Sequence, residues 1–297
     1  MGEPAAIRRA LQRGGEARRR ERRTGGRAGP GPMTLSWDNY PPVGVLVLGS
    51  GTSTGIPVIG CRCRVCTSTN PRNKRLRSSL RLRVNGQALL VDCGVDFRQQ
   101  MLTYPTPRLD AVLITHTHAD HIHGLDDLRA FCFHQRQAIP IYTSGPFIDD
   151  IRLRFAYAFD PPQIGGGVPR LDLRPVRPGE PFDVGGVDVL PIQIMHGHLP
   201  ILGFRLGRFA YLTDCSGIPE ETYRLLEGVE TVIISGLRWT PHPTHFSIDQ
   251  SLEAARRMGA RRAYLIHMAC AVEHEEADAR LPDWARLTYD GLELEVR

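Results

Sequence analysis

No apolar run in the 297-residue chain approaches the roughly 18–20 residues that a membrane-spanning helix needs, so a transmembrane reading is set aside. The N-terminal stretch lacks the continuous apolar core of a secretory signal, and for a transit peptide it is poor in Ser and interrupted by Glu. A surplus of charge is missing from most of the chain. Residues 1–32 hold nine Arg and three Glu, and the remainder carries 28 basic and 29 acidic residues. The +5 net charge therefore belongs to the tail, and the near-neutral remainder argues against a polyanion binder. The tail has almost no aromatic or β-branched residues, so a solvated, disordered extension over 1–40 is expected, with Met33 as a second candidate start. No internal repeat is visible. Seven cysteines, three of them packed together, fit a reducing compartment and a metal site better than a disulfide framework, which makes the expected location cytoplasmic.

What is present begins with a hydrophobic content of 41%, enough for one large core, and one domain over 41–297 is expected. The patterning predicts strands over Val43–Leu48, Leu80–Val84, Ala88–Val91, Ala111–Ile114, Ile139–Tyr142 and Val232–Ser235, and another over Ala263–His267. Asn85-Gly86 predicts a two-residue hairpin turn. Strand-rich stretches are expected over Val184–Met195 and Leu202–Leu212. Helices are expected over Phe97–Leu102, Gly124–His134, Phe147–Tyr157, Glu220–Leu226 and Ser247–Met258. The Pro/Gly-rich run Asp160–Pro169 reads as a loop, either overhanging a site or decorating the surface.

Thr115-His116-Thr117-His118-Ala119-Asp120-His121 concentrates three imidazoles and a carboxylate behind the apolar strand Ala111–Ile114. His116 and His118 are two apart, so at an extended strand end they point to one side. Adjacent Asp120 and His121 must diverge toward a second position, which is how one loop feeds two metal ions. Three later apolar runs end in polar residues: Met195-His196, Leu212-Thr213-Asp214 and Ile266-His267. Closing an apolar strand with such a residue is costly unless it is satisfied, and a metal satisfies it. Taken singly, a hydrogen-bonded structural role serves as well.

A second motif, Cys61-Arg62-Cys63-Arg64-Val65-Cys66, presents three thiols in a compact turn of the kind that ligates tetrahedral zinc. Cys270, three residues past His267, is the expected fourth ligand, and Arg62 and Arg64 are expected to favour ionised thiolates. Such a closed structural zinc site has no open position for water or substrate. Cys93, Cys132 and Cys215 read as small buried apolar residues.

The His-x-His-x-Asp-His run, followed by Ile122-His123-Gly124-Leu125, resembles the signature of the metallo-β-lactamase superfamily. That resemblance covers roughly residue 43 to the C-terminus and implies an α/β fold, a four-layer αββα sandwich with metals along one edge. It also implies that His116, His118 and His196 hold one ion, that Asp120, His121 and His267 hold the second, and that Asp214 bridges them. Related diiron oxygen reductases place Glu at the position of His118, so imidazole there favours a pair of zinc or manganese ions and hydrolysis. Together with Gly49-Ser50-Gly51-Thr52-Ser53-Thr54-Gly55-Ile56-Pro57, the cysteine knuckle is similar to the phosphoribosyl cyclic phosphate phosphodiesterase branch. In that branch a His typically fills the position of Cys270.

The expected function is a dinuclear metal-dependent hydrolase, a phosphodiesterase acting on small or cyclic phosphate esters through a metal-bridging hydroxide. Asp120 would orient the nucleophile. His245, on a loop before a helix, is the candidate proton donor, and the nuclease and phosphodiesterase branches place a His there. His123, His134, His198, His242 and His274 carry no comparable claim; Arg238 is either a phosphate contact or a solvated loop residue. The alternatives are an RNA-processing endonuclease of the tRNA 3′ type and a catalytically silent metal-binding scaffold. The expected partner is a small phosphate ester, with nucleic acid not favoured, no membrane, and a homodimer possible.

Overall fold

The computed structural model describes residues 37, 39–161 and 167–297. The Arg-rich stretch, the alternative start at Met33 and the middle of the Asp160–Pro169 loop lie outside these residues. Residues Trp37–Arg297 form one compact unit.

The first half runs β1 Val43–Gly49, β2 Ser79–Val84, β3 Gln87–Val91, α1 Phe97–Thr103, β4 Ala111–Leu113, α2 Ala119–Ile122, α3 Arg129–Gln135, β5 Ile139–Ser144, α4 Gly145–Arg154, α5 Ala156–Phe159 and β6 Leu171–Val176. The second half runs β7 Phe182–Asp183, β8 Asp188–His196, β9 Leu199–Leu206, β10 Phe209–Leu212, α6 Glu220–Leu225, β11 Thr231–Ser235, α7 Ile248–Arg257, β12 Arg262–Ile266, α8 His274–Asp278, β13 Ala285–Leu287 and β14 Glu293–Val296. Two seven-stranded sheets result, ordered β14-β1-β2-β3-β4-β5-β6 and β13-β12-β11-β10-β9-β8-β7.

Alternation along the strands builds the layers. Val45, Val47, Leu89 and Val91 point into a core shared with Phe204, Tyr211, Ile233 and Ile266 of the other sheet. Their neighbours Leu46, Leu48, Leu90 and Val112 face outward onto Phe97, Ile122, Leu128 and Ile151. On the opposite outer face Ala210, Leu212, Val232, Ile234 and Leu265 meet Ile248, Leu252 and Ala255 of α7. Strands covered on both faces have no solvent side, which is why they read as continuous apolar runs. The chain is thus the expected single-domain α/β sandwich. Trp37 and Tyr40, ahead of residue 41, already pack on its cores. No helix among the described residues is long and apolar enough to cross a membrane.

The Asn85-Gly86 turn has positive φ at both residues (47° and 78°), as a twisted two-residue hairpin requires. The helix expected over Gly124–His134 is instead a 3-10 turn, Leu125–Leu128, followed by α3. The backbone there is tied down by Gly124 N–H donating to Cys93 O at 2.8 Å and Cys93 N–H to His121 O at 2.8 Å. A Cβ on Gly124 would stand 2.1 Å from Gly94 O. The stretch from Val184 breaks at Gly185-Gly186, both with positive φ, and the long strand begins at Asp188. Leu202–Leu212 is likewise two strands around Gly207 (φ 58°). Strands β6, β13 and β14 and helix α8 carry no strong periodic signal; β14 forms by pairing with β1 from the far end of the chain.

Candidate metal centre

The described chain has five non-glycine residues with positive φ, and Asp92 (60°), Asp214 (55°) and His267 (62°) are three of them. Each follows the last residue of β3, β10 or β12 within two positions. Left-handed backbone costs a non-glycine residue about 1–3 kcal/mol, and the surrounding bonds hold it in place. These turns redirect polar side chains at the strand ends into one buried cluster.

His116, His118 and His196 bring ligand atoms within 4.8 Å of one another. Thr115 Oγ1 lies 3.0 Å from His116 Nδ1, leaving His116 Nε2 facing His118 Nδ1 at 2.9 Å. His196 Nδ1–H donates to Thr244 O at 2.7 Å, so its Nε2 is the nitrogen free to ligate. Asp120, His121, Asp214 and His267 form the second group, also within 4.8 Å. Asp214 recurs with His196 and His245, placing it where a bridging residue would stand. Its Oδ1 is 3.1 Å from His267 Nδ1 and 3.4 Å from His121 Nε2. His267 is also lined by Thr52 Oγ1 at Nε2 (3.1 Å) and Ser78 Oγ at Nδ1 (3.2 Å).

Asp92 was not anticipated as a site residue. It is fully buried; its Oδ2 takes the His121 Nδ1–H at 2.7 Å, and its Oδ1 takes the Thr115 N–H at 2.9 Å. A carboxylate behind a ligating imidazole sets its tautomer, here turning His121 Nε2 into the site. The sequence signal was Asp92 closing the apolar strand β3, the same signal that marked His196, Asp214 and His267.

The charges do not balance within the protein. Burial opposes ionisation of Asp120 and Asp214, yet His121 holds Asp120, and His267 with His121 hold Asp214, below the ordinary carboxylate range. Burial alone would neutralise His121, but Asp214, Asp92 and Asp120 together drive it well above its ordinary value. Burial keeps His116, His118 and His267 below theirs. Three buried carboxylates, Asp92, Asp120 and Asp214, thus converge on the one imidazole of His121. His121 Nε2, 3.1 Å from Asp120 Oδ2, is buried and hydrogen-bonded to nothing. A mixed imidazole–carboxylate set with residual negative charge and an orphaned nitrogen fits divalent cations.

Above the cluster is a cleft of about 540 Å³ lined by His118, His196, His198, Leu199, Ser216 and Thr244. The segment after β11 enters it. Phe246 N–H donates to Cys215 O (2.6 Å), and Ser247 caps α7 through a capping box with Gln250. His245 is thereby held over Asp214, its Nδ1 4.0 Å from Oδ2 and its ring stacked on His267 at 5.0 Å. Burial first, then His267, pushes His245 down to about 3, and its Nδ1 lacks a partner. His242, given no claim from sequence, has its ring 5.3 Å from that of His245, and its Nδ1 accepts from Thr244 N–H (3.3 Å). Arg238 is turned back on its own loop, donating to Thr240 O and Pro241 O.

Cys61, Cys63, Cys66 and Cys270 form a separate group with sulfurs within 4.8 Å, all free thiols. The Cys66 N–H on Cys63 Sγ (3.4 Å) brings that thiol down to about 6, whereas burial pushes Cys66 up to about 12. Arg64, expected to favour the thiolates, is paired with Glu276. Cys93, Cys132 and Cys215 are fully buried.

A family model described as beta-lactamase superfamily domain matches residues 87–268. A curated relative named octanoyltransferase, from Porphyromonas gingivalis, is 43% identical over 84% of this chain and 50% of its own length. The chain spans about half the length of the first curated relatives it matches. The crystal structure of a new diphosphatase from the PhnP family is 36% identical, with TM-score 0.80 over 86% of this chain and 97% of that one. Zn(2+)-bound PqqB from Methylobacterium extorquens, 20% identical with TM-score 0.70 over 85% of this chain and 100% of that one, shares the fold.

Proposed function

The chain belongs to the metallo-β-lactamase superfamily, in its PhnP-like branch, and on that premise we propose that it hydrolyses small or cyclic phosphate diesters with two divalent ions, zinc or manganese. The observation that carries this reading is the convergence of seven imidazole and carboxylate side chains beneath one cleft, with His121 Nε2 buried and unbonded.

When bound, such a pair of cations supplies positive charge for the developing phosphorane oxygens and acidifies water. His116, His118 and His196 would hold one ion, and Asp120, His121 and His267 the other, with Asp214 shared. Asp120 accepts a hydrogen bond from the attacking water and orients it. His245 stands over Asp214, its Nδ1 4.0 Å from Oδ2, and next in sequence to Thr244 of the cleft, from where it would meet the leaving oxygen. Burial keeps its imidazole neutral in the free site, and an anionic phosphate beside it raises its proton affinity, so it delivers a proton to the leaving alkoxide. The four thiols would hold a structural zinc, and so many free thiols favour a reducing, cytoplasmic setting.

The octanoyltransferase name belongs to a protein twice the length of the match. Among the described cleft residues there is no Cys or Lys to carry an acyl group, so that activity is left with that protein. A diphosphatase attacks the same kind of phosphorus centre but expels phosphate, which needs no proton. The deciding experiment joins metal quantification to turnover of ribose cyclic phosphates, cyclic nucleotides, pyrophosphate-linked compounds and short RNA. Cyclic-ester turnover by a chain holding three metals supports the reading. RNA cleavage alone moves the protein to the tRNA 3′-processing type, and no turnover of any phosphate ester refutes it.

A further inference from the structure

Arg75 heads the largest fully buried side chains, with 1% of its surface exposed. An isolated buried guanidinium costs several kcal/mol unless an anion offsets it. Yet its bonds all go to neutral oxygens: Arg72 O (3.3 Å), Ala269 O (3.4 Å), Asn73 Oδ1 (3.2 Å) and Val272 O (2.9 Å). No carboxylate stands within ion-pair distance of it among the described residues, although Asp290 and Glu273 both favour its charge from nearby. Asp290 is half-buried and already takes Ser50 N–H, Ser50 Oγ–H and Leu76 N–H. Burial also pushes Asp290 up to about 6, so near neutral pH it stays mostly ionised, with its oxygens committed to those three donors.

Two of these acceptors, Ala269 and Val272, bracket Cys270. The Arg75 backbone meanwhile pairs in both directions with Ile56, at 2.8 Å each way. Ile56 packs with Val65 and Cys66 under the other three thiols. Arg75 therefore touches both chain segments that build the thiol cluster. A divalent ion among four thiolates is left with two net negative charges, and Cys270, acting from the far end of the sequence, contributes one of the four.

We propose that Arg75 is the fixed counter-charge of this all-thiolate metal centre, holding the knuckle and the Cys270 loop together only once the cluster is anionic. The inference rests on the four-thiolate reading above. It gives the buried guanidinium an anion beyond the neutral oxygens it bonds and the nearby charges of Asp290 and Glu273: the metal–thiolate cluster.

The test uses the full chain loaded with cobalt(II), whose thiolate-to-metal absorption reports the thiol centre apart from the His/Asp centre. Metal is withdrawn by a competing chelator. Outer-shell changes typically cost a site about 10- to 100-fold in affinity, and that is the loss expected at the thiol centre for Arg75→Gln, with the His/Asp centre unchanged. Arg75→Lys, which keeps charge but loses the fork, should stay within about threefold of the parent. In a Cys270→His background, where the cluster is one charge less negative, the Arg75→Gln loss should shrink. A purely mechanical clamp predicts the reverse order, with Lys as weak as Gln. That result, or Gln as tight as the parent, overturns the proposal. If Arg75→Gln does not fold, folding restored by Cys270→His supports it and continued unfolding overturns it. A parent chain with no thiolate absorption removes the four-thiolate premise itself, a failure distinct from the others.

Discussion

Asp92→Asn is the most incisive perturbation of the catalytic cluster, because it changes one atom and keeps the shape. Asn tolerates the left-handed φ of 60° at this position. Its carbonyl can keep the Thr115 N–H bond made by Oδ1 at 2.9 Å. In place of Oδ2, however, an amide N–H₂ meets His121 Nδ1–H across 2.7 Å, donor against donor. The imidazole escapes by moving its proton to Nε2, the nitrogen that faces Asp120 and Asp214, and a protonated nitrogen has no lone pair for a metal. The lost charge-assisted bond is worth about 1.5–3 kcal/mol, in line with the 10- to 100-fold weakening usual for outer-shell changes, about 1.4–2.8 kcal/mol. Metal analysis after dialysis against graded chelator should show the His/Asp metals released that much more readily, with the thiol-bound metal retained as internal control. An Asp92→Asn protein that keeps all its metals at parent affinity would refute the tautomer argument.

Three further outcomes are expected. His245→Asn should keep its metal content but lower kcat by about 10²–10⁴ on alkyl phosphodiesters, with a smaller loss when the leaving group is a nitrophenolate; parent-level kcat on the alkyl ester excludes it as proton donor. A Cβ at Gly94 would stand 1.8 Å from the Asp120 carbonyl, so Gly94→Ala should cost about 3 kcal/mol in urea unfolding and loosen the catalytic metals. Both unchanged would mean that the loop yields freely. His274 is buried with Nδ1 unpaired, and burial, then Arg75, pushes it down to about 4 from an ordinary value near 6.5. Its unfolded form therefore binds a proton that the folded form refuses, so its stability contribution is present above pH 6.5 and lost as pH falls toward 4. His274→Gln should flatten that part of the urea-midpoint profile, and an unaltered slope sinks the assignment.

Much of this was legible one residue at a time. The sandwich strands announced themselves because both faces are covered, leaving uninterrupted apolar runs such as Ala111–Ile114. The ligand candidates stood out because His196, Asp214 and His267 close such runs with groups that burial punishes. Less was legible where local signals were weak or contradicted by neighbours. The helix predicted from Gly124 breaks because Gly94 and Cys93 pin its first turn. Strand β14 exists only through its pairing with β1, at the opposite end of the chain. Arg64 lies close enough to Cys63 to feel its charge, but its ion pair with Glu276, 212 positions away, had no local signal.

Composition, apolar periodicity and the spacing of His, Asp and Cys determined by themselves the fold class and which residue types were available for chemistry, because these depend on near neighbours along the chain. The tertiary structure alone decided which nitrogen of His116, His121 and His196 faces the site, that Asp92 stands behind His121, and that His242 borders His245. It also placed Arg75, a buried cation hydrogen-bonded only to neutral oxygens, beside the segments of the thiol cluster. Orientation, charge balance and tautomer are properties of through-space contacts shorter than 4 Å, and sequence separation carries no information about those.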